Sequence, residues 1–136
     1  MKTRILYLAG TFACLSAGLV SAADSHGNYA IWGAGGRSCN QFVQSAQDVT
    51  KTTGFRDYLM GYLTAFNSLA PATYDATGGE ALETTLAWLR EYCDAHKIDS
   101  FDRATGQMLL ARHAQRSRIP PSASRGWGGR SPPAWP

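Results

Sequence analysis

The chain predicts an all-α fold, a small bundle of about four helices closed by one disulfide and followed by a disordered tail. Three observations carry that expectation. Apolar residues recur at three- and four-residue spacing in four separate segments between residues 38 and 116. Two cysteines, Cys39 and Cys93, fall in the first and third of these segments. From Ser117 onward, prolines and glycines exclude regular structure. With 136 residues the chain is expected to hold a single domain.

Residues 1–23 read as a signal peptide. Lys2 and Arg4 supply the positive start, residues 5–20 are uncharged and mostly apolar, and Ser21, Ala22 and Ala23 are small. Cleavage is expected after Ala22 or Ala23. The apolar run is short for a membrane span, which needs roughly 20 residues, and no stop-transfer pattern follows. No stable membrane insertion is therefore expected after cleavage, and the mature chain is expected in the periplasm or secreted. A lipoprotein needs a cysteine at the cleavage point, whereas Cys14 sits inside the apolar run.

Removal of the signal leaves Cys39 and Cys93, which in an oxidising compartment most simply pair. Cys93 and His96 are three residues apart and suit one face of a helix, but no third and fourth ligand stands at a recognisable spacing, so no metal site is read.

Residues 24–37, with Gly27, Gly33, Gly35 and Gly36, form a glycine-rich arm that Tyr29, Ile31 and Trp32 are expected to dock on the domain. The helical domain spans residues 38–116. Its first helix opens at Ser38, where Ser38 and Gln41 match a capping box, continues through Phe42, Val43 and Ala46, and ends near residues 50–53. The second carries the stripe Phe55, Tyr58, Leu59, Tyr62, Leu63, Phe66 and Leu69, with Thr53 as N-cap and Pro71 as stop. Gly61 in its interior costs about 1 kcal/mol against alanine, which suggests that another helix approaches there. The third runs from about Glu80 to Ala95, with Leu82, Leu86, Leu89 and Cys93 on one stripe. Asp99 or Ser100 caps the fourth, Asp102 sits in its first turn, and Phe101, Ala104, Met108 and Ala111 mark its apolar face before it frays at residues 112–116. Residues 117–136 are Arg-, Gly- and Pro-rich and disordered by composition, with Trp127 and Trp135 unexplained.

The ordered part is roughly 80 residues, small enough for a marginal core. A 39–93 disulfide closes a loop of 54 positions and contributes up to about 4 kcal/mol on the chain-entropy model.

Charge is unevenly placed. Residues 24–110 hold six basic and ten acidic residues, net −4, whereas residues 111–136 hold five arginines and no acid. The basic balance of the whole chain thus belongs to its ends, and no nucleic-acid module is recognisable. No phosphate loop, zinc-protease motif or haem-attachment pattern is present, and His26, His96 and His113 are scattered. A disulfide removes the thiolate that a Cys–His nucleophile needs. No catalytic residue, no cofactor and no enzyme activity are read.

The chemistry that remains is the second stripe. Core packing is its ordinary role. Tyr58, Tyr62, Leu63 and Phe66 also exceed what a small core hides, which makes them the candidate patch for a partner, for clients or for a homodimer.

Cys39, Asn40, Gln41, Phe42 and Val43 resemble the first-cysteine motif of the periplasmic acid-stress chaperones HdeA and HdeB, a Cys-x-x-Phe-apolar run. Leu89, four residues before Cys93, resembles the second half-motif, and Phe101 fits the final short helix. The resemblance covers about residues 38–110. It implies a small secreted helical fold with one such disulfide, and ATP-independent holding of unfolding proteins at very low pH. Residues 58–63, with their Gly-Tyr pair, are also similar to a helix of Rap/Tai-type periplasmic immunity proteins, which neutralise type VI secretion toxins. That likeness implies one specific protein partner instead of unfolded clients. The arginine-rich tail matches neither family and allows a third expectation, an envelope-associated structural protein.

Overall fold

A computed structural model describes residues 23–120. The expected signal peptide, except for Ala23, and residues 121–136 of the expected tail lie outside the described residues. The chain divides after Ala30 into two compact units. In the first, the Asp24 carboxylate accepts from the amides of His26 and Asn28, both at 2.8 Å. These bonds to the charged form hold its pKa below the ordinary value.

The second unit is all-α. Its helices are α1 (Cys39–Gln44), α2 (Val49–Leu69), α3 (Leu82–Ala95) and α4 (Phe101–Arg112). Short 3-10 turns occupy Gly33–Gly36, Ser45–Gln47 and His113–Gln115. The described residues hold no strand, only two isolated bridges, Ser38 with Ser100 and Asp75 with Ser117.

The predicted capping box at α1 is present: Ser38 accepts from the Gln41 amide, and the Gln41 side chain accepts from the Ser38 amide. The remaining free amides of this short helix are met by the α3–α4 connection. Cys39 N–H donates to the Asp99 carbonyl at 2.7 Å and Asn40 N–H to that of Lys97 at 3.0 Å. α1 stops at Gln44, earlier than expected, because the Ser45 hydroxyl and Asp48 amide close a 3-10 turn. Asp48, not Thr53, then caps α2, accepting from the Lys51 amide. Thr53 lies inside the helix and spends its hydroxyl on the Val49 carbonyl, the back-bond typical of an interior threonine. Ser100 caps α4, accepting from the Arg103 amide at 3.1 Å. The expected frayed end at residues 113–115 is a 3-10 turn.

The core is a phenylalanine triad with one ring from each of α1, α2 and α4. Phe42, Phe55 and Phe101 lie 4.6 to 5.2 Å apart between centroids, in tilted and edge-on contacts that favour aromatic pairs. α3 adds Leu86, Leu89 and Cys93, and α4 adds Ala104, Met108 and Leu109. The Cys39–Cys93 disulfide joins α1 to α3 with both residues fully buried. Arg37 lies over Phe55 and Arg90 over Phe42, 5.9 and 5.5 Å from the ring centroids, so cations cap two aromatic faces.

Gly33–Gly36, in the expected glycine-rich arm, forms a 3-10 turn in which Ala34 and Gly35 are buried, and a methyl group on Gly35 would overlap the Tyr58 ring. The expected docking residues Tyr29, Ile31 and Trp32 are exposed. Gly61, expected at a close helix contact, faces open space.

Candidate functional site

Burial fades along α2. At 1.5 Å per residue its 21 residues extend about 31 Å, longer than α3 or α4. Phe55 and Leu59 in its first half are sealed in the core. The four candidate residues come next: Tyr58, Tyr62, Leu63 and Phe66 are half-buried and packed against the edge of that core. Beside them Met60 is 44% exposed and Leu69, at the last residue of the helix, 81% exposed. The stripe is therefore continuous, with a core half and a surface half.

Within the candidate patch the two tyrosines differ. Tyr58 donates its hydroxyl to Asp102 Oδ1 at 2.6 Å, and Asp102 is buried in the first turn of α4. Its ring also meets Phe101 at 6.0 Å and Tyr62 at 5.9 Å. Tyr62 lies further out. Burial, and then the Asp102 charge, push its phenol above the ordinary value, so it stays a neutral donor across the usual pH range. Tyr58 thus ties α2 to α4, while Tyr62, Leu63 and Phe66 present an apolar face with a polar tip.

The loop after α2 wraps this surface half. Asn67 accepts from the amide of buried Ala76 at 2.8 Å. Asp75 accepts from the amides of Thr77 and Gly79, which folds the loop into a tight turn. Between this loop, the start of α3 and α2 lies a cleft of about 310 Å³, lined by Met60, Leu63, Leu82, Asp75 and Glu80 among others.

A second aromatic set was missed in the sequence. Trp88 and Tyr92 on α3 and His96, the residue that caps its C-terminus, follow one another at four-residue spacing, with ring centroids 5.6 and 4.1 Å apart and nearly parallel planes. Tyr92 donates to Asp99 Oδ2 at 2.8 Å. Burial and this carboxylate raise its pKa. The signal was the spacing itself, hidden because the Leu–Cys stripe of the same helix accounted for its core face.

Among the described residues the two cysteines, Cys39 and Cys93, hold no free thiol, since both form the disulfide. His26, His96 and His113 are exposed on three separate segments. Among the described residues no group of His, Cys, Asp and Glu is placed to hold a metal ion, and no helix is long and apolar enough to cross a membrane. Comparison with family models, curated proteins and solved structures finds no match for this chain.

Proposed function

We propose that the mature chain is a non-enzymatic, extracytoplasmic holdase that keeps unfolding proteins in solution at acid pH. The observation that carries this reading is the surface half of α2, where Tyr62, Leu63 and Phe66 sit half-buried beside exposed Met60 and Leu69 on a frame joined by a buried disulfide. Such a patch binds apolar segments without sequence preference. Charge supplies the switch. Residues 24–110 carry net −4 at neutral pH, and protonation of their ten carboxylates leaves the six basic residues unopposed. Self-repulsion then loosens the packing of α2, which is not itself held by the disulfide, while α1 and α3 remain linked. The resemblance of the cysteine motifs supports the same reading.

Replacing Tyr62 and Phe66 together with serine tests it. The account predicts loss of client holding at acid pH in a variant that keeps its disulfide and helical signal. A folded double variant that still holds clients would remove the patch from the mechanism.

The Trp88–Tyr92–His96 ladder favours a second reading, a specific binding or immunity protein that neutralises a toxin. Aromatic residues of this kind are enriched where one protein anchors another. Recovery of one stoichiometric partner from the periplasm, lost in a Trp88→Ala variant, would favour it over the holdase.

A further inference from the structure

A further cleft lies where the residue pair before α1, α1 itself and the start of α2 meet. We infer that it binds a carboxylate, on a small molecule or at a peptide C-terminus, gripped by Arg37 with Gln41, Gln44 and Lys51 around it.

The lining is the first observation. The cleft has a volume of about 240 Å³ and is lined by Arg37, Gln41, Gln44, Ser45, Lys51 and Phe55. Two of these are cations, two are amides and none is an acid, whereas Asp75 and Glu80 edge the cleft beside α2. Ser45 is satisfied internally, its hydroxyl donating to the Phe42 carbonyl at 2.7 Å. Gln41 spends its side-chain oxygen on the Ser38 amide at 3.0 Å, which leaves its side-chain nitrogen to donate. The cleft therefore offers donors and positive charge, the complement of an oxyanion.

Arg37 is the second. Its backbone is pinned on both sides: its N–H donates to the Ala34 carbonyl at 3.1 Å, and its carbonyl accepts from the Phe101 N–H at 2.8 Å. Its guanidinium lies over the buried Phe55 ring, which limits the freedom it has to lose on binding. Yet this exposed side chain joins none of the ion pairs among the described residues, where Arg56, Arg103 and Arg112 each face a carboxylate. A guanidinium held in place with its donors unspent suits a planar carboxylate, which it takes with two parallel hydrogen bonds.

Charge balance is the third. Lys51 Nζ lies 3.2 Å from Asp48 Oδ2, so that carboxylate offsets one of the two lining cations. Two cations less one acid leave a single positive charge, which matches a carboxylate better than a phosphate dianion. Phe55 is only 1% exposed, so the cleft gives little apolar surface and recognises the charged group rather than the rest of its bearer. None of the lining residues belongs to the α2 patch, so the site stands whether or not that patch holds clients.

The test is nuclear magnetic resonance of the oxidised, isotope-labelled mature protein in low-salt buffer at about pH 7, where a carboxylate is fully ionised. The probes are sodium acetate and N-acetyl-glycyl-glycine; the controls are the C-terminal amide of that peptide and sodium chloride. The site predicts saturable shifts at the Arg37 Nε–H and at the Gln41 and Gln44 side-chain amides with both carboxylates, and no saturable shift with either control. Tighter binding of the peptide than of acetate assigns the site to a chain end, and equal binding to small carboxylates. Gln44→Glu, at an exposed position, sets a like charge beside the ligand and is expected to weaken binding at least about tenfold in a variant with an unchanged helical signal. Absence of saturable shifts overturns the site, as does an equal response to the peptide amide or to chloride. So does a folded Gln44→Glu variant with undiminished affinity, or an equal shift at Arg118, which also joins no ion pair among the described residues.

Discussion

Tyr58→Phe isolates one hydrogen bond that decides how α2 is held. The substitution keeps the ring, and with it the contacts to Phe101 and Tyr62. It removes only the hydroxyl that donates to Asp102 at 2.6 Å. Asp102 is 3% exposed, so water does not readily replace the lost donor. Hydrogen bonds to charged groups contribute about 1.5–3 kcal/mol, and the short distance and burial place this one within that range. For a domain of this size a loss of about 2 kcal/mol lowers Tm by roughly 8–16 °C. The assay is urea unfolding of the oxidised protein followed by circular dichroism, with the slope required to stay constant so that the midpoint shift reports stability. Asp102→Asn and the double variant complete a cycle. A Tyr58→Phe change below about 0.5 kcal/mol, or one of equal size with and without Asp102, would refute the tether and return Tyr58 to the surface patch.

Other outcomes follow from the same structure. Gly61→Ala stabilises by up to about 1 kcal/mol, because the position is helical and open, whereas Gly35→Ala destabilises by driving a methyl into the Tyr58 ring; a lower melting temperature for the first, or a higher one for the second, would contradict that glycine's placement. Replacing Cys39 and Cys93 together with alanine removes up to about 4 kcal/mol of loop-closure stabilisation, read as the midpoint difference between the oxidised protein and the double variant. Asp48 is held below the ordinary carboxyl value chiefly by the Lys51 amide, then by the Lys51 side chain. A lowered folded pKa means that its stabilisation is complete above the unfolded value of 3.8 and fades as pH falls through the folded one. The protection of the Lys51 amide, its exchange relative to an unstructured amide at the same pH, is therefore predicted to fall in that acid window, and Asp48→Asn to flatten the dependence.

Helix count, the capping boundary at Ser38 and the disulfide pairing were legible because each has a local signature: periodicity, a Ser-x-x-Gln spacing and one cysteine in each of two helical segments. The start of α2 was not. Asp48 and Thr53 are both good caps, and the choice was made by the 3-10 turn at Ser45–Gln47, which places Asp48 at the break. Gly61 was read as a close helix contact and Gly35 only as part of a glycine-rich arm, since nothing in the chain tells a glycine facing solvent from one under a tyrosine ring. The four patch residues were visible as a stripe, but the division of labour between Tyr58 and Tyr62 depends on Asp102, 44 positions away from Tyr58. The partnership of Tyr92 with Asp99 was closer in sequence, and it was masked by an α3 stripe already explained by its leucines.

The most direct test of the central claim is light scattering of an aggregation-prone client shifted to about pH 2–3, with and without the folded, oxidised mature protein, repeated at pH 7. The account predicts strong suppression of scattering at acid pH that disappears at neutral pH. Equal scattering with and without the protein at acid pH would contradict the holdase and leave the aromatic surface to a single specific partner.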